Sequence, residues 1–142
     1  MSRVSFSEEE YFPGQFDLWQ ANCLRSIKGQ KGQVALRELE QALLALPEKR
    51  LIREELITED GVCAIGALAL YRNYEPEADP ECEMEEVGIE LGLPRLVAWK
   101  IVAMNDEELH RRYDKEIGKS VEITPEERYR IVLNTVQNWL KQ

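Results

Sequence analysis

Apolar side chains recur at helical spacing along much of the chain. In residues 15–28, and again in residues 33–46, they lie three and four positions apart, which predicts two amphipathic helices. Gly29 is well placed to end the first helix as its C-terminal cap. Residues 29–32 then form a short loop between the two. The pattern therefore predicts an antiparallel helix pair.

Residues 61–71 form the one long stretch without a charged side chain, Gly-Val-Cys-Ala-Ile-Gly-Ala-Leu-Ala-Leu-Tyr. A helix that is apolar on all sides is normally buried in a globular core. Small and large side chains alternate along the stretch, so neighbouring backbones can approach it closely on one side. It is too short to cross a bilayer, which takes about 20 apolar residues. We therefore expect a buried central helix over residues 62–72.

Three further helices are predicted in the second half of the chain. They cover residues 84–90, residues 94–104 and a C-terminal segment that begins at Pro125. The C-terminal helix has the clearest start. Thr124 and Glu127 match a capping box around its first turn, and proline is favoured at the first helical position.

The remaining segments are less regular. Residues 49–57 fit a short helix slightly better than a strand, and residues 107–119 fit a short helix followed by a loop. Residues 1–14 are expected to form a loose N-terminal arm. Together the patterns predict an all-α fold, a single compact domain of about six helices around the buried helix 62–72.

The negative charge of the chain is concentrated in one segment. The formal net charge is −9, and residues 73–90 contribute −8 of it, with eight acidic and no basic side chains. Prolines and charge repulsion predict an acidic loop over residues 73–83. Such a stretch can mimic a nucleic-acid backbone, dock on a basic partner or bind divalent cations through its carboxylates, whereas most charge runs of this kind are solvated loops. The residues that we expect to contact a basic partner are Glu75, Glu77, Asp79, Glu81, Glu83, Glu85 and Glu86.

Composition excludes several other classes of function. A surface that is not basic overall disfavours general nucleic-acid binding. Three widely spaced cysteines and one histidine support neither a disulfide framework nor a metal site, and no motif indicates a cofactor. The N-terminus does not resemble a signal peptide and no membrane segment is evident, which predicts a cytoplasmic protein. The sequence leaves a homodimer as one alternative for the oligomeric state.

The candidate residues for nucleophilic chemistry are Cys63 as the nucleophile and His110, the only histidine, as its base, with Asn105, Asp106 or Asp114 as the orienting group. Cys63 would lie in the first turn of the central helix, where the helix dipole lowers the pKa of a thiol. The competing interpretation is a packing residue, because the surroundings of Cys63 are apolar and cysteine is often buried. A small enzyme or nucleotide-binding protein using Cys63, Asn105 and Asp106 is the alternative function.

A second alternative comes from the Gly-x-x-Gly pattern of residues 29–32. It resembles the nucleic-acid clamp of KH domains, in which glycines let a phosphate backbone come close. The strands that flank this clamp in a KH domain are not evident, and glycine-rich turns between helices are common. The residues of a phosphate or nucleic-acid contact would be Arg25, Lys28, Gly29, Lys31 and Gly32.

Three short motifs carry a resemblance to a known group of proteins. They are Asp60-Gly61-Val62-Cys63-Ala64-Ile65-Gly66-Ala67-Leu68, then Asn105-Asp106, then Thr124-Pro125-Glu126-Glu127-Arg128. In this order they resemble small uncharacterised proteins of bacteriophages, prophages and some bacteria. The resemblance covers roughly residues 55–140. It implies a viral or mobile-element setting and brings no activity with it.

The leading hypothesis combines this setting with the charge distribution. We expect a non-enzymatic phage-type accessory protein, located in the host cytoplasm, that binds a host protein through its acidic segment. A clustered negative surface can compete for a basic groove, so the expected target is a defence component or a nucleic-acid-binding protein.

Overall fold

A computed structural model describes residues 15–75 and 83–140 of the chain. Its helices are α1 (Gln15–Lys28), α2 (Gln30–Ala45), α3 (Ala64–Tyr71), α4 (Met84–Glu90), α5 (Arg95–Ala103) and α6 (Pro125–Leu140). The antiparallel strand pairs are β1 (Ile57–Thr58) with β2 (Gly61–Val62), and β3 (Arg111–Asp114) with β4 (Lys119–Glu122). A π-helical turn, Met104–Glu108, continues α5. The predicted all-α fold of about six helices is confirmed, with two small hairpins added.

Helix α3 is the centre of the core, as predicted for residues 62–72. Six of its eight residues are buried, and it packs against α2, α4 and α5. The helix is shorter than expected, because Val62 belongs to β2 and Cys63 is the residue that caps its N-terminus. Leu70 and Tyr71 at its C-terminal end are exposed, so only the first six residues of α3 are enclosed.

The long helices enclose α3 and are joined to one another by hydrogen bonds as well as apolar packing. Helix α6 packs against α2, where the Tyr129 hydroxyl donates to the Leu43 carbonyl at 2.9 Å. Near the start of α2, the Gln33 amide donates to the carbonyls of Ile27 at 2.8 Å and Trp139 at 3.1 Å. These bonds fix the end of α1, the start of α2 and the end of α6 relative to one another.

The predicted short helix over residues 49–57 is wrong. Residues 50–56, here the 50–56 segment, are irregular and make their hydrogen bonds with other parts of the chain. The Leu51 amide donates to the Pro125 carbonyl at 3.0 Å, and the Ile52 amide donates to the Val62 carbonyl at 2.9 Å. Tertiary partners therefore replace the local bonds that a helix would need.

The predicted short helix and loop over residues 107–119 are also wrong. After the π-helical turn the chain forms the β3–β4 hairpin, whose turn is closed by the Gly118 amide donating to Asp114 O at 2.8 Å. Gly118 has φ +70°, a conformation that glycine adopts without strain. The hairpin is mostly exposed, so no buried apolar face marked it in the sequence.

Two predicted segments fall mainly outside the described residues. The N-terminal arm, 1–14, lies wholly outside them, and so do residues 76–82 of the predicted acidic loop. Within residues 15–75 and 83–140, none of the helices combines the length and the apolar character needed to cross a membrane.

Candidate functional site

Asn105 and Asp106, predicted as site residues, lie in the π-helical turn and are both buried. The Asn105 side chain accepts from the Ala64 amide at 3.3 Å and donates to the Ile52 carbonyl at 2.9 Å and to Asp106 Oδ1 at 2.7 Å. Asp106 Oδ1 also accepts from the Glu54 amide at 2.9 Å. The Asn-Asp pair thus joins the N-terminus of α3 to the 50–56 segment.

Two arginines, Arg53 and Arg128, make further hydrogen bonds between the 50–56 segment and the rest of the chain. Arg53 donates through Nε and a terminal nitrogen to the Asp106 carbonyl at 3.0 and 2.9 Å. Arg128 in α6 donates to the Leu51 and Leu109 carbonyls, both at 3.0 Å. Burial lowers the pKa of the Arg128 guanidinium, nearby Arg53 lowers it further, and Asp106 acts in the opposite direction. A buried polar network therefore fastens an irregular segment to three elements of the core.

Cys63 lies beside this network, but its thiol has the opposite of the expected reactivity. Its Sγ accepts from the Gly66 amide at 3.3 Å and lies 3.8 Å from the sulfur of Met84. Burial raises the pKa of the Cys63 thiol to about 12, which outweighs the lowering by the Gly66 hydrogen bond. The predicted lowering by the N-terminus of α3 is present, but burial outweighs it, so the expectation of a thiol with a low pKa is wrong. At neutral pH the thiol is protonated and caps α3.

His110 shares no hydrogen bond with Cys63, Asn105 or Asp106. It stands between the π-helical turn and β3, and its carbonyl accepts from the Ile123 amide at 2.9 Å. Its Nδ1 is buried, and no hydrogen bond from this atom to another described residue is found. The structure therefore brings Cys63, Asn105 and Asp106 into one region without completing the predicted Cys–His arrangement.

The predicted loop over residues 29–32 is a single residue. Gly29 separates α1 from α2, and α2 begins at Gln30 rather than Gln33. Gly32 is buried in the first turn of α2, where a Cβ would come within 2.1 Å of the Ser26 carbonyl oxygen. This glycine is needed for the close approach of two helices. The flanking basic residues are exposed; they are Arg25, Lys28 and Lys31.

A pair of alanine variants separates close packing from loop flexibility at this turn. Gly32→Ala is expected to lower the free energy of unfolding by about 2 kcal/mol or more, because the added methyl group meets main-chain atoms that cannot turn away. Gly29→Ala is expected to cost less than about 1 kcal/mol, since the nearest atom to its Cβ is 3.4 Å away. Urea unfolding measures both, and equal effects would contradict the packing role.

The acidic residues predicted to bind a partner are not equivalent. Glu75 is exposed, whereas Glu85 is buried in α4 and is unavailable to a partner without rearrangement. Glu83 is half-buried and is the N-cap residue of α4. Glu86 is half-exposed and lies 3.8 Å from Arg95. The others lie outside the described residues: Glu77, Asp79 and Glu81.

A cleft beside the buried network was not anticipated from the sequence. It has a volume of about 400 Å³ and is lined by Arg50, Arg53 and Arg128, together with Asp60 and Glu122. Arg128 carried a detectable signal, because it lies four and eight positions before the buried Val132 and Val136 of α6. Nothing in the pattern around the two other arginines distinguishes them from ordinary surface residues.

Within the described ranges, no group of three or more histidine, cysteine or acidic side chains is arranged to hold a metal ion. The polar residues of the buried network bind main-chain groups of the 50–56 segment, and the charged residues of the cleft are available for electrostatic contacts. Comparison of the chain with protein-family models, with curated proteins and with solved structures finds no match.

Proposed function

We propose that this chain is a phage-type accessory protein that binds a host protein through its acidic segment and modulates or inhibits it. The proposed target is a defence component or a nucleic-acid-binding protein of the host cytoplasm. The phage-type setting rests on the three sequence motifs described above. The binding role is non-enzymatic and rests on the charge of residues 73–90, which contribute −8 of a formal net charge of −9.

The observation that carries the proposal is how the flanks of the acidic segment are tied to the fold. The Tyr74 hydroxyl donates to a Glu90 carboxylate oxygen, which links the end of α3 to the end of α4. The Tyr74 amide donates to the Ala69 carbonyl at 2.9 Å. On the other side the Glu83 carbonyl accepts from the Val87 amide at 3.2 Å. Both ends of the charged segment are therefore anchored.

Packing narrows the set of acidic residues available for contact. Buried Glu85 and hydrogen-bonded Glu90 are removed from it, because their side chains serve the fold. Carboxylates that are clustered in sequence attract a basic partner at long range and raise the association rate, and this attraction weakens with salt. The residues proposed to make the contact are Glu75, Glu77, Asp79, Glu81, Glu83 and Glu86.

Neutralising the acidic segment is expected to weaken partner binding about tenfold. The test variant combines Glu75→Gln, Glu77→Gln, Asp79→Asn and Glu81→Gln. Four ion pairs with a partner, at about 0.2–1 kcal/mol each, sum to about 0.8–4 kcal/mol, a range that includes the value of about 1.4 kcal/mol for a tenfold loss. Host proteins are captured from lysate on wild type and on the variant and identified by mass spectrometry. The affinity of the identified partner is then measured across a range of salt concentrations.

A control variant removes the same charge from acidic residues elsewhere on the surface. It replaces Glu48, Glu55, Glu59 and Glu116 by glutamine, and all four are exposed. A partner retained by wild type and the control but lost by the acidic-segment variant supports the proposal. Equal affinities for all three proteins, or a salt dependence that the acidic-segment variant leaves unchanged, would overturn it.

A further inference from the structure

The cleft of about 400 Å³ beside the 50–56 segment is lined by three arginines, although the protein as a whole is acidic. Arg50 and Arg53 come from the segment itself, and Arg128 comes from the first turns of α6. Asp60 and Glu122 also line the cleft, so its lining side chains carry one excess positive charge. The volume is in the range of sites that bind small molecules.

Two of the three arginines are already engaged. Arg53 donates to the Asp106 carbonyl and lies 3.1 Å from Glu54. Arg128 is only 2% exposed, donates to main-chain carbonyls, and is influenced by the charges of Asp106 and Glu122. Arg53 and Arg128 therefore form part of the cleft wall while their guanidinium groups bind other parts of the chain. Arg50 is the lining arginine that can still donate hydrogen bonds to a ligand.

Arg50 differs because its guanidinium makes no hydrogen bond or ion pair with another described residue. Its Nε is shielded from solvent and has no acceptor within residues 15–75 and 83–140, and the same holds for Nε of Arg128. A buried donor without an acceptor costs about 1–3 kcal/mol. Both donors belong to side chains that line this cleft.

We propose that this cleft binds a small soluble ligand through a carboxylate or phosphate group, with Arg50 as the principal contact. Arginine forms two parallel hydrogen bonds with such groups, using Nε and one terminal nitrogen. The half-buried Arg50 side chain forms part of the cleft wall, which places its guanidinium next to a ligand bound there. The single excess charge of the lining favours a singly charged group over a polyphosphate.

The experiment is an NMR titration of the full chain with sodium acetate and, separately, with sodium phosphate, at constant ionic strength. The ¹H–¹⁵N resonances report on backbone amides, and the Arg50 Nε–H resonance reports directly on the proposed contact. Saturable shifts are expected at Arg50 Nε–H and at amides of the cleft. Saturation by acetate identifies a carboxylate site, and saturation by phosphate alone identifies a phosphate site.

Arg50→Gln is expected to weaken binding at least about tenfold, because a charged hydrogen-bond donor is lost. Since Arg50→Gln removes a buried donor that has no acceptor among the described residues, the unfolding midpoint of this variant should be no lower than that of wild type. Arg130→Gln is the control, because Arg130 is exposed on α6 and is not among the residues that line the cleft. Shifts that fail to saturate with either salt, or equal weakening by the two variants, would overturn the proposal.

Discussion

Replacement of Arg128 by methionine is expected to lower the free energy of unfolding by about 3–5 kcal/mol, because each of its two hydrogen bonds at 3.0 Å from a charged donor contributes about 1.5–3 kcal/mol. The substitution keeps a long apolar side chain and removes the guanidinium that donates to the carbonyls of Leu51, Leu109 and Ile123. These acceptors lose a charged donor, and Asp106 loses a neighbouring positive charge in the same buried region. Urea-induced unfolding followed by circular dichroism measures the change.

Two companion variants test the reason for this loss. Arg130→Met alters an exposed arginine of the same helix and should change stability by less than about 0.5 kcal/mol. Arg128→Lys keeps the charge without the planar fork that reaches several carbonyls, so most of the loss should remain. A cost below about 1 kcal/mol for Arg128→Met would show that the 50–56 segment is held mainly by other contacts.

Alanine at Gly66 is expected to destabilise the protein by about 3 kcal/mol, although alanine is the better helix former. A Cβ at this position would come within 2.1 Å of the Leu56 carbonyl oxygen and 3.0 Å of Val62 Cβ. The clash is with main chain, and the Leu56 carbonyl is already fixed by accepting from the Cys63 amide at 3.1 Å. Neither side can move without breaking the start of α3.

Gly88→Ala in α4 serves as the matched control in unfolding experiments. Its Cβ would meet only side-chain atoms, the nearest being Ile65 Cδ1 at 3.1 Å, and the ends of such side chains can shift by a few tenths of an ångström. We therefore expect a smaller cost at Gly88 than at Gly66. A stabilising Gly66→Ala would contradict the close contact between α3 and the 50–56 segment.

The predictions for Arg128 and Gly66 both concern the 50–56 segment. Three of the residues that the sequence suggested for nucleophilic chemistry contact the same segment. Asn105 and Asp106 bind its backbone, and Cys63 donates its main-chain amide to it. A thiol with a pKa of about 12 is poorly suited to act as a nucleophile. Asn105, Asp106 and Cys63 thus have a structural role, which is to hold an irregular segment against the core.

Much of the fold was predictable because helical periodicity is local information. The bounds of α1 and α4 agree with the prediction, and α6 begins at Pro125 as expected. Half of the predicted capping box of α6 is present, because the Glu127 amide donates to the Thr124 hydroxyl at 3.1 Å. The Glu127 carboxylate accepts from Arg112 and from the Thr124 hydroxyl rather than from the Thr124 amide. The alternation of small and large residues in residues 61–71 predicted a close backbone approach, and Gly66 provides it.

The sequence by itself determined the helices, their burial around α3 and the concentration of negative charge. Only the tertiary structure decided the path of the 50–56 segment, the β3–β4 hairpin and the cleft lined by Arg50, Arg53 and Arg128. The physical reason is that these features depend on partners far away in the chain. Arg128 and Leu51, for example, are separated by 77 positions. Periodicity indicates which face of a helix or strand is apolar. It contains no information about which distant carbonyl accepts a hydrogen bond from a buried guanidinium.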